Sequence, residues 1–184
     1  KGKLYLQVLQ RKTAVGPRGK DNNHSFLMAM NPDTGVELWK VIRPDDASIE
    51  SSEAYSTPMP QEINGKVQIL ISGGDVLTGH DPDTGKELWR WGTYNPGHRE
   101  VYWRLVPSPV AGGGVALVCA PKRAPIYAVK NGQSGNVSDE ALAWNVMTWG
   151  QYSYPFVPMV DKYKWLETRH MVNISDRWKR DKTD

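Results

Sequence analysis

The chain has 184 residues, of which 39% are hydrophobic and 23% charged, and its 23 Lys and Arg against 20 Asp and Glu leave a formal charge of +3. No apolar run approaches the roughly 20 residues needed to span a bilayer, and the small, mixed charge lacks the concentrated positive field that holds nucleic acid. Eight Trp, 17 Gly and 13 Pro beside only two Phe point to short strands broken by turns, an all-β chain.

In chain order, Lys1-Gly2-Lys3-Leu4-Tyr5-Leu6 has no initiator Met and no apolar signal core, so the expectation is a fragment or a chain whose leader has been removed. Lys3 to Val8 reads as a strand. The stretch from Arg11 to Asn23, rich in charge and Gly, interrupts the first unit as a loop that either contacts a partner or is simply mobile. Ser25 to Met30 is a second strand. Then comes Asn31-Pro32-Asp33-Thr34-Gly35-Val36-Glu37-Leu38-Trp39-Lys40, a run that returns as Asp81-Pro82-Asp83-Thr84-Gly85-Lys86-Glu87-Leu88-Trp89-Arg90. A degenerate third copy begins at Lys130-Asn131-Gly132-Gln133-Ser134-Gly135 and closes at Trp144. Repeats of about 50 residues mark propellers, solenoids or arrays.

The repeated run explains its own shape. Pro presets φ, Asp and Thr34 or Thr84 bond the local backbone, and Gly35 or Gly85 takes the positive φ of a bulged hairpin. Glu-Leu-Trp then opens a strand, in which strict alternation puts Glu37 and Trp39 on one face and Leu38 on the other. Trp39 and Trp89 are therefore expected at equivalent packing sites between successive units. Around them Lys66 to Ile71 and Val115 to Cys119 match the first strand, and Asp75 to His80 and Pro125 to Lys130 match the second. Segments at Ser56 to Pro60, Pro107 to Val110 and Pro155 to Val160 open successive units. Each unit reads as four short antiparallel strands, one propeller blade.

The run from 81 to 89 with its partner from 31 to 39 resembles the tryptophan-docking motif of quinoprotein-type, or PQQ-like, β-propellers, over residues 1 to 144. The look is most similar to secreted bacterial PQQ-like repeat proteins. The resemblance implies inter-blade docking by Trp39, Trp89 and Trp144. It also implies a partial propeller belonging to an eight-bladed ring: 1–55 a blade lacking its first strand, 56–105 a second blade, 106–153 a third, and 154–184 the start of a fourth. It further implies a periplasmic or extracellular location and a bacterial source, in which the sequons at Asn23, Asn136 and Asn173 are silent. The family includes PQQ-dependent dehydrogenases, but members of the methanol-dehydrogenase type close their quinone site with adjacent cysteines, and this chain has only Cys119. No cofactor is therefore expected, PQQ entering only by analogy.

The remaining chemistry-bearing residues give few sites. Cys119 lies among small apolar neighbours and reads as a buried strand thiol. The four His, at 24, 80, 98 and 170, show no metal-ligand spacing, and no metal is expected. Gly112-Gly113-Gly114 reads as a hairpin turn, since no Lys-Ser/Thr follows. Acidic residues at 45–46 and 50–53 read as solvated loop, because glycosidase pairs meet only in three dimensions. The densest candidate ligand surface is aromatic and basic: Trp91, Trp103 and Arg104, with Trp89, Tyr94 and Tyr102 nearby and His80 at a strand end, where a sugar or planar ring could stack. Three functions remain open on these residues: a non-catalytic scaffold binding a protein partner or ligand, part of a PQQ-dependent dehydrogenase oxidising an alcohol or sugar, and a carbohydrate-binding propeller. The expected partners are a protein or the remaining blades of the same polypeptide.

Overall fold

The computed structural model describes residues 2–13, 23–43, 46–92, 94–122 and 124–146. They form twelve strands in three sheets, with only short 3-10 turns besides. The proposed fourth unit at 154–184 and the segment Pro155 to Val160 lie outside the described residues, as does most of the 11–23 loop.

Sheet 1 contains β1 (Leu4–Val8), β2 (Phe26–Met30) and β3 (Glu37–Ile42) as an antiparallel meander. Sheet 2 runs β4 (Met59–Ile63), β5 (Lys66–Gly73), β6 (Val76–His80) and β7 (Glu87–Trp91) in the same sense. Sheet 3 holds β8 (Val110–Gly112), β9 (Val115–Cys119), β10 (Ile126–Lys130) and β12 (Leu142–Val146). Short β-rich segments separated by Gly and Pro turns make hairpin neighbours of consecutive strands, because two residues of turn cannot carry a chain further than the adjacent strand. Gly113 and Gly114, at φ 55° and 84°, turn β8 into β9.

Two departures from simple repetition matter. The third repeat does not close as a tight turn: β11 (Gly135–Val137) leaves its own sheet and pairs in parallel with β7, Gly135 opposite Trp89 and Val137 opposite Trp91, giving sheet 2 a fifth strand. Strict alternation also fails at Glu37. Trp39 lies opposite Ala29 while Glu37 lies opposite Met30, so Leu38 is bulged out and Glu37 takes the face opposite to Trp39. The same bulge recurs at Leu88, between Glu87 opposite His80 and Trp89 opposite Gly79, and at Ala143 before Trp144.

The sheets pack face to face. Tyr5, Leu27, Trp39 and Val41 of sheet 1 meet Ile69 and Ile71 of sheet 2, and Leu70, Leu77, Trp89 and Trp91 on the opposite face of sheet 2 meet Ala116, Val118 and Val129 of sheet 3. The far face of sheet 3 gathers Val115, Leu117, Ile126 and Ala128 with Trp144.

Candidate interaction surface

The docking turns behave alike in detail. Asn31 Oδ1 accepts from the Asp33 and Thr34 amides (2.8 and 3.1 Å), and Asp81 Oδ1 accepts from Asp83 and Thr84 (2.9 and 2.8 Å), while the Thr34 and Thr84 hydroxyls accept from the amides two residues on. Gly35 and Gly85 sit at φ 70° and 75°. Their surroundings differ. A Cβ on Gly85 would lie 2.6 Å from the Trp39 ring, so the second turn rests on the tryptophan of the preceding sheet, whereas a Cβ on Gly35 would meet nothing within 4 Å.

The two indoles are anchored differently. Trp89 lies across Gly79 and donates from Nε1 to Gln68 Oε1 (2.9 Å); Gln68 Nε2 donates to Gln61 Oε1 (2.6 Å), and Gln61 Nε2 to Asn131 Oδ1 (2.8 Å) of the third unit. In sheet 1 a methyl, that of Ala29, stands where Gly79 stands, and the buried Trp39 Nε1 finds no hydrogen-bond partner among the described residues. Trp144 pairs with Ala128 and packs at the edge of the sheet 3 cluster.

His80 and Trp91 are interior residues, which corrects their reading as ligand surface. His80 Nδ1 donates to Gly85 O (3.0 Å), leaving Nε2 to accept from the Thr78 hydroxyl (2.9 Å). Burial, helped by the Arg43 guanidinium and opposed by the Gly85 bond, brings its pKa down to about 4. The Trp91 ring packs tilted against Tyr94 and Tyr127, with centroids 5.7 and 4.9 Å apart, and its Nε1 donates to Asp139. Its face is filled by neighbours, so no sugar can stack there. The Cys119 thiol is pushed up to about 12 by burial, which removes its thiolate at neutral pH.

Trp103 and Arg104 belong to a surface that sequence spacing did not delimit. The segment leading into β4 and the segment after β7 are zipped together: Ser51 N donates to Val101 O (3.1 Å), Ser51 Oγ to Glu100 O (2.6 Å), Trp103 N to Ser51 Oγ (3.0 Å) and Tyr55 N to Leu105 O (2.9 Å). The later segment is pinned from below by the buried Asp75 carboxylate, whose Oδ2 accepts from Asn95 Nδ2 (2.7 Å) and bonds His98 Nδ1 (3.0 Å). Asp75, His98 and the β-branched Ile49 hold φ of 62°, 50° and 52°, a concentration of backbone strain that surrounding structure must sustain.

On this frame Glu53 accepts from Arg11 Nε (2.7 Å) and Arg104 Nε (2.7 Å), and Glu50 pairs with Arg11 (3.1 Å) and Arg104 (3.4 Å). Two guanidiniums and two carboxylates cancel. The Arg104 guanidinium lies 5.2 Å from the Tyr55 ring centroid. Tyr55 is 68% exposed and Tyr102 59%, Ile49 and Val106 are exposed on the same two segments, and Trp103 is half-buried against the core. Exposed Tyr beside anchored Trp and Arg is the composition that dominates binding energy at protein interfaces.

This surface does not suit PQQ, a planar triacid. Such a ligand needs surplus positive charge, and Arg11 and Arg104 are already committed to Glu50 and Glu53. Among the described residues no three His, Cys, Asp or Glu converge as metal ligands, and no helix is long and apolar enough to cross a membrane.

Comparison with known proteins gives a relationship over part of the chain. The quinohemoprotein alcohol dehydrogenase ADH-IIG of Pseudomonas putida is 31% identical over 99 residues, which is 50% of this chain and 11% of the dehydrogenase. Half of the chain is thus similar to part of a quinoprotein, and the match spans about a tenth of that protein's length. No family model matches it.

Proposed function

We propose that these sheets are blades of a PQQ-type propeller that works outside the cytoplasm as a non-catalytic scaffold, holding a protein partner on the surface of Tyr55, Tyr102, Trp103 and Arg104. The docking residues Trp39, Trp89, Trp144, Gly35, Gly85, Thr34 and Thr84 serve the frame in this reading, and the remaining blades come from the rest of the polypeptide. One observation carries it: two exposed tyrosines and an arginine are fixed on strained, zipped segments, while His80 is neutral and enclosed and the half-buried Cys119 is held as a thiol.

The test is crosslinking from a benzoylphenylalanine placed at Val106, in periplasmic extract, with identification of the captured protein. Tyr55→Ala with Arg104→Ala should reduce capture of one defined protein about tenfold while leaving the melting temperature within a few degrees. A second reading rests on the kinship with a quinohemoprotein alcohol dehydrogenase. Micromolar binding of added PQQ, with dye-linked oxidation of an alcohol, would move the assignment to that reading. Glycan-array binding abolished by Tyr55→Ala would move it to carbohydrate recognition.

A further inference from the structure

Charge at the Tyr55 and Arg104 surface is balanced within the protein. Arg104 and Arg11 are both held by the Glu50 and Glu53 carboxylates, and Arg99 and Glu100, exposed further along the same segment, offset each other. A charged group laid over the rings would lose hydration and meet no uncommitted countercharge. The segment that covers them is therefore uncharged where it touches them.

What stays open on this surface is donors. Among the described residues the Tyr55 and Tyr102 hydroxyls and the Trp103 indole N–H hold no hydrogen-bond partner, whereas the acceptors, Glu50 and Glu53, are taken by the guanidiniums. Trp103 rests its ring against the core and keeps its N–H in reach of solvent. The two segments spend facing main-chain groups on each other, Tyr55 N on Leu105 O (2.9 Å) and Leu105 N on Glu53 O (3.4 Å), in a parallel bridge at Ala54 and Leu105. Recognition thus falls to the side chains, which this bridge holds in place.

Open donors beside flat apolar faces suit a ligand with carbonyls to spare and few N–H groups. Polyproline II has no internal hydrogen bonds, its prolines bring no N–H, and their rings lie well on aromatic faces. The scale agrees. The Arg104 guanidinium is 5.2 Å from the Tyr55 centroid, Tyr102 is two residues or about 7 Å of chain from Arg104, and three residues of polyproline II span about 9 Å. Building on the partner-binding reading of this surface, we propose that its occupant is an uncharged proline-rich segment of the partner protein in the polyproline II conformation, with prolines on Tyr55 and Tyr102 and a carbonyl on the Trp103 indole N–H. Both sides are preformed, so little ordering entropy opposes the contact.

The experiment titrates fluorescein-labelled decaproline into the whole protein, with a Gly-Ser decapeptide as control. Decaproline should bind with a Kd on the order of 100 μM and the control about tenfold more weakly. The indole N–H resonance of Trp103, identified by its loss in Trp103→Phe, should shift on binding. Trp103→Phe and Tyr102→Leu should each weaken binding roughly fivefold with Tm held within a few degrees, and raising salt from about 0.05 to 0.5 M should change affinity less than about twofold. No binding at millimolar decaproline, equal binding of the two peptides, or an affinity unmoved by both substitutions would overturn the proposal. The crosslink from Val106 separates it from the reading beneath it. A captured protein joined through a segment without proline overturns the proline-rich occupant and keeps the scaffold, whereas decaproline bound with no protein captured keeps the surface chemistry and removes the scaffold.

Discussion

Gly35 and Gly85 occupy the same position of the same turn at nearly the same φ, yet they answer to different demands. At Gly35 only the backbone asks for glycine, since a Cβ would meet open space. At Gly85 the Trp39 ring and Val41 Cγ1, at 2.6 and 3.0 Å from the added atom, ask for it as well. Gly35→Ala should cost about 1 kcal/mol, the left-handed penalty alone. Gly85→Ala should cost about 3 kcal/mol, because a packed indole must also move. Urea unfolding of the two variants measures the difference directly, and equal losses would show that Trp39 is not seated on the second turn. The turn chemistry of both was legible from Pro, Asp, Thr and Gly alone. The roles of His80 and Trp91 were not, because a strand-end position and an aromatic cluster look the same whether a neighbouring sheet or solvent lies above them. Arg43 went unnoticed for the same reason: its guanidinium reaches Gly73 O, Val76 O and Thr78 Oγ1 of the next sheet.

At the scale of the element, the strands were legible wherever a local turn signal bounded them, and β9 falls on the expected residues from Val115 to Cys119. The recurrent bulge was not, because period-2 reading has no place for an unpaired residue; Leu38, Leu88 and Ala143 reveal it only through their partners. Nor was β11, whose pairing with β7 depends on how two units approach each other. The faces of sheet 1 bear a related consequence. Leu4, Leu6, Met28, Met30 and Ile42 share its outer face by register, and Leu4 and Leu6 are 52% and 42% exposed, whereas their counterparts Ile69 and Ile71 are 2% and 0% exposed against sheet 1. Glu37 and Lys40 share this face, and its exposed apolar residues are of the kind that a neighbouring surface covers. Leu4→Gln with Leu6→Gln should lower binding of an apolar dye by about half and leave stability within about 0.5 kcal/mol. Ile71→Gln, at the buried equivalent, should cost about 3 kcal/mol. Equal losses in the two variants would mean that the outer face is already covered.

Across the whole described molecule, sheets 1 and 2 are joined by a polar spine as well as by apolar packing. Arg43 Nε donates to Thr78 Oγ1 (3.2 Å), the Thr78 hydroxyl faces His80 Nε2, and His80 Nδ1 donates to the carbonyl of Gly85, the glycine beneath Trp39. This order of donors suits a neutral imidazole, since a proton on Nε2 would turn the Thr78 hydroxyl away to Ile71 O and set a charged ring beside the Arg43 guanidinium. The folded pKa of about 4 lies below the ordinary 6.5. Between those values the unfolded chain binds the proton and the folded chain does not, so stability falls as pH drops from 6.5 toward 4 and is flat above 6.5 on this group's account. The loss at pH 5.5 relative to pH 7.5 should be about 1 kcal/mol, and about 3 kcal/mol by pH 4. Denaturant unfolding across this range, compared with His80→Gln, separates the spine from carboxylate titration: the glutamine variant should lose the component between pH 6.5 and 4 that His80 contributes and keep the rest. An unchanged profile would mean that His80 takes up its proton within the folded state, and that the joint between the sheets tolerates a charged ring beneath the docking turn.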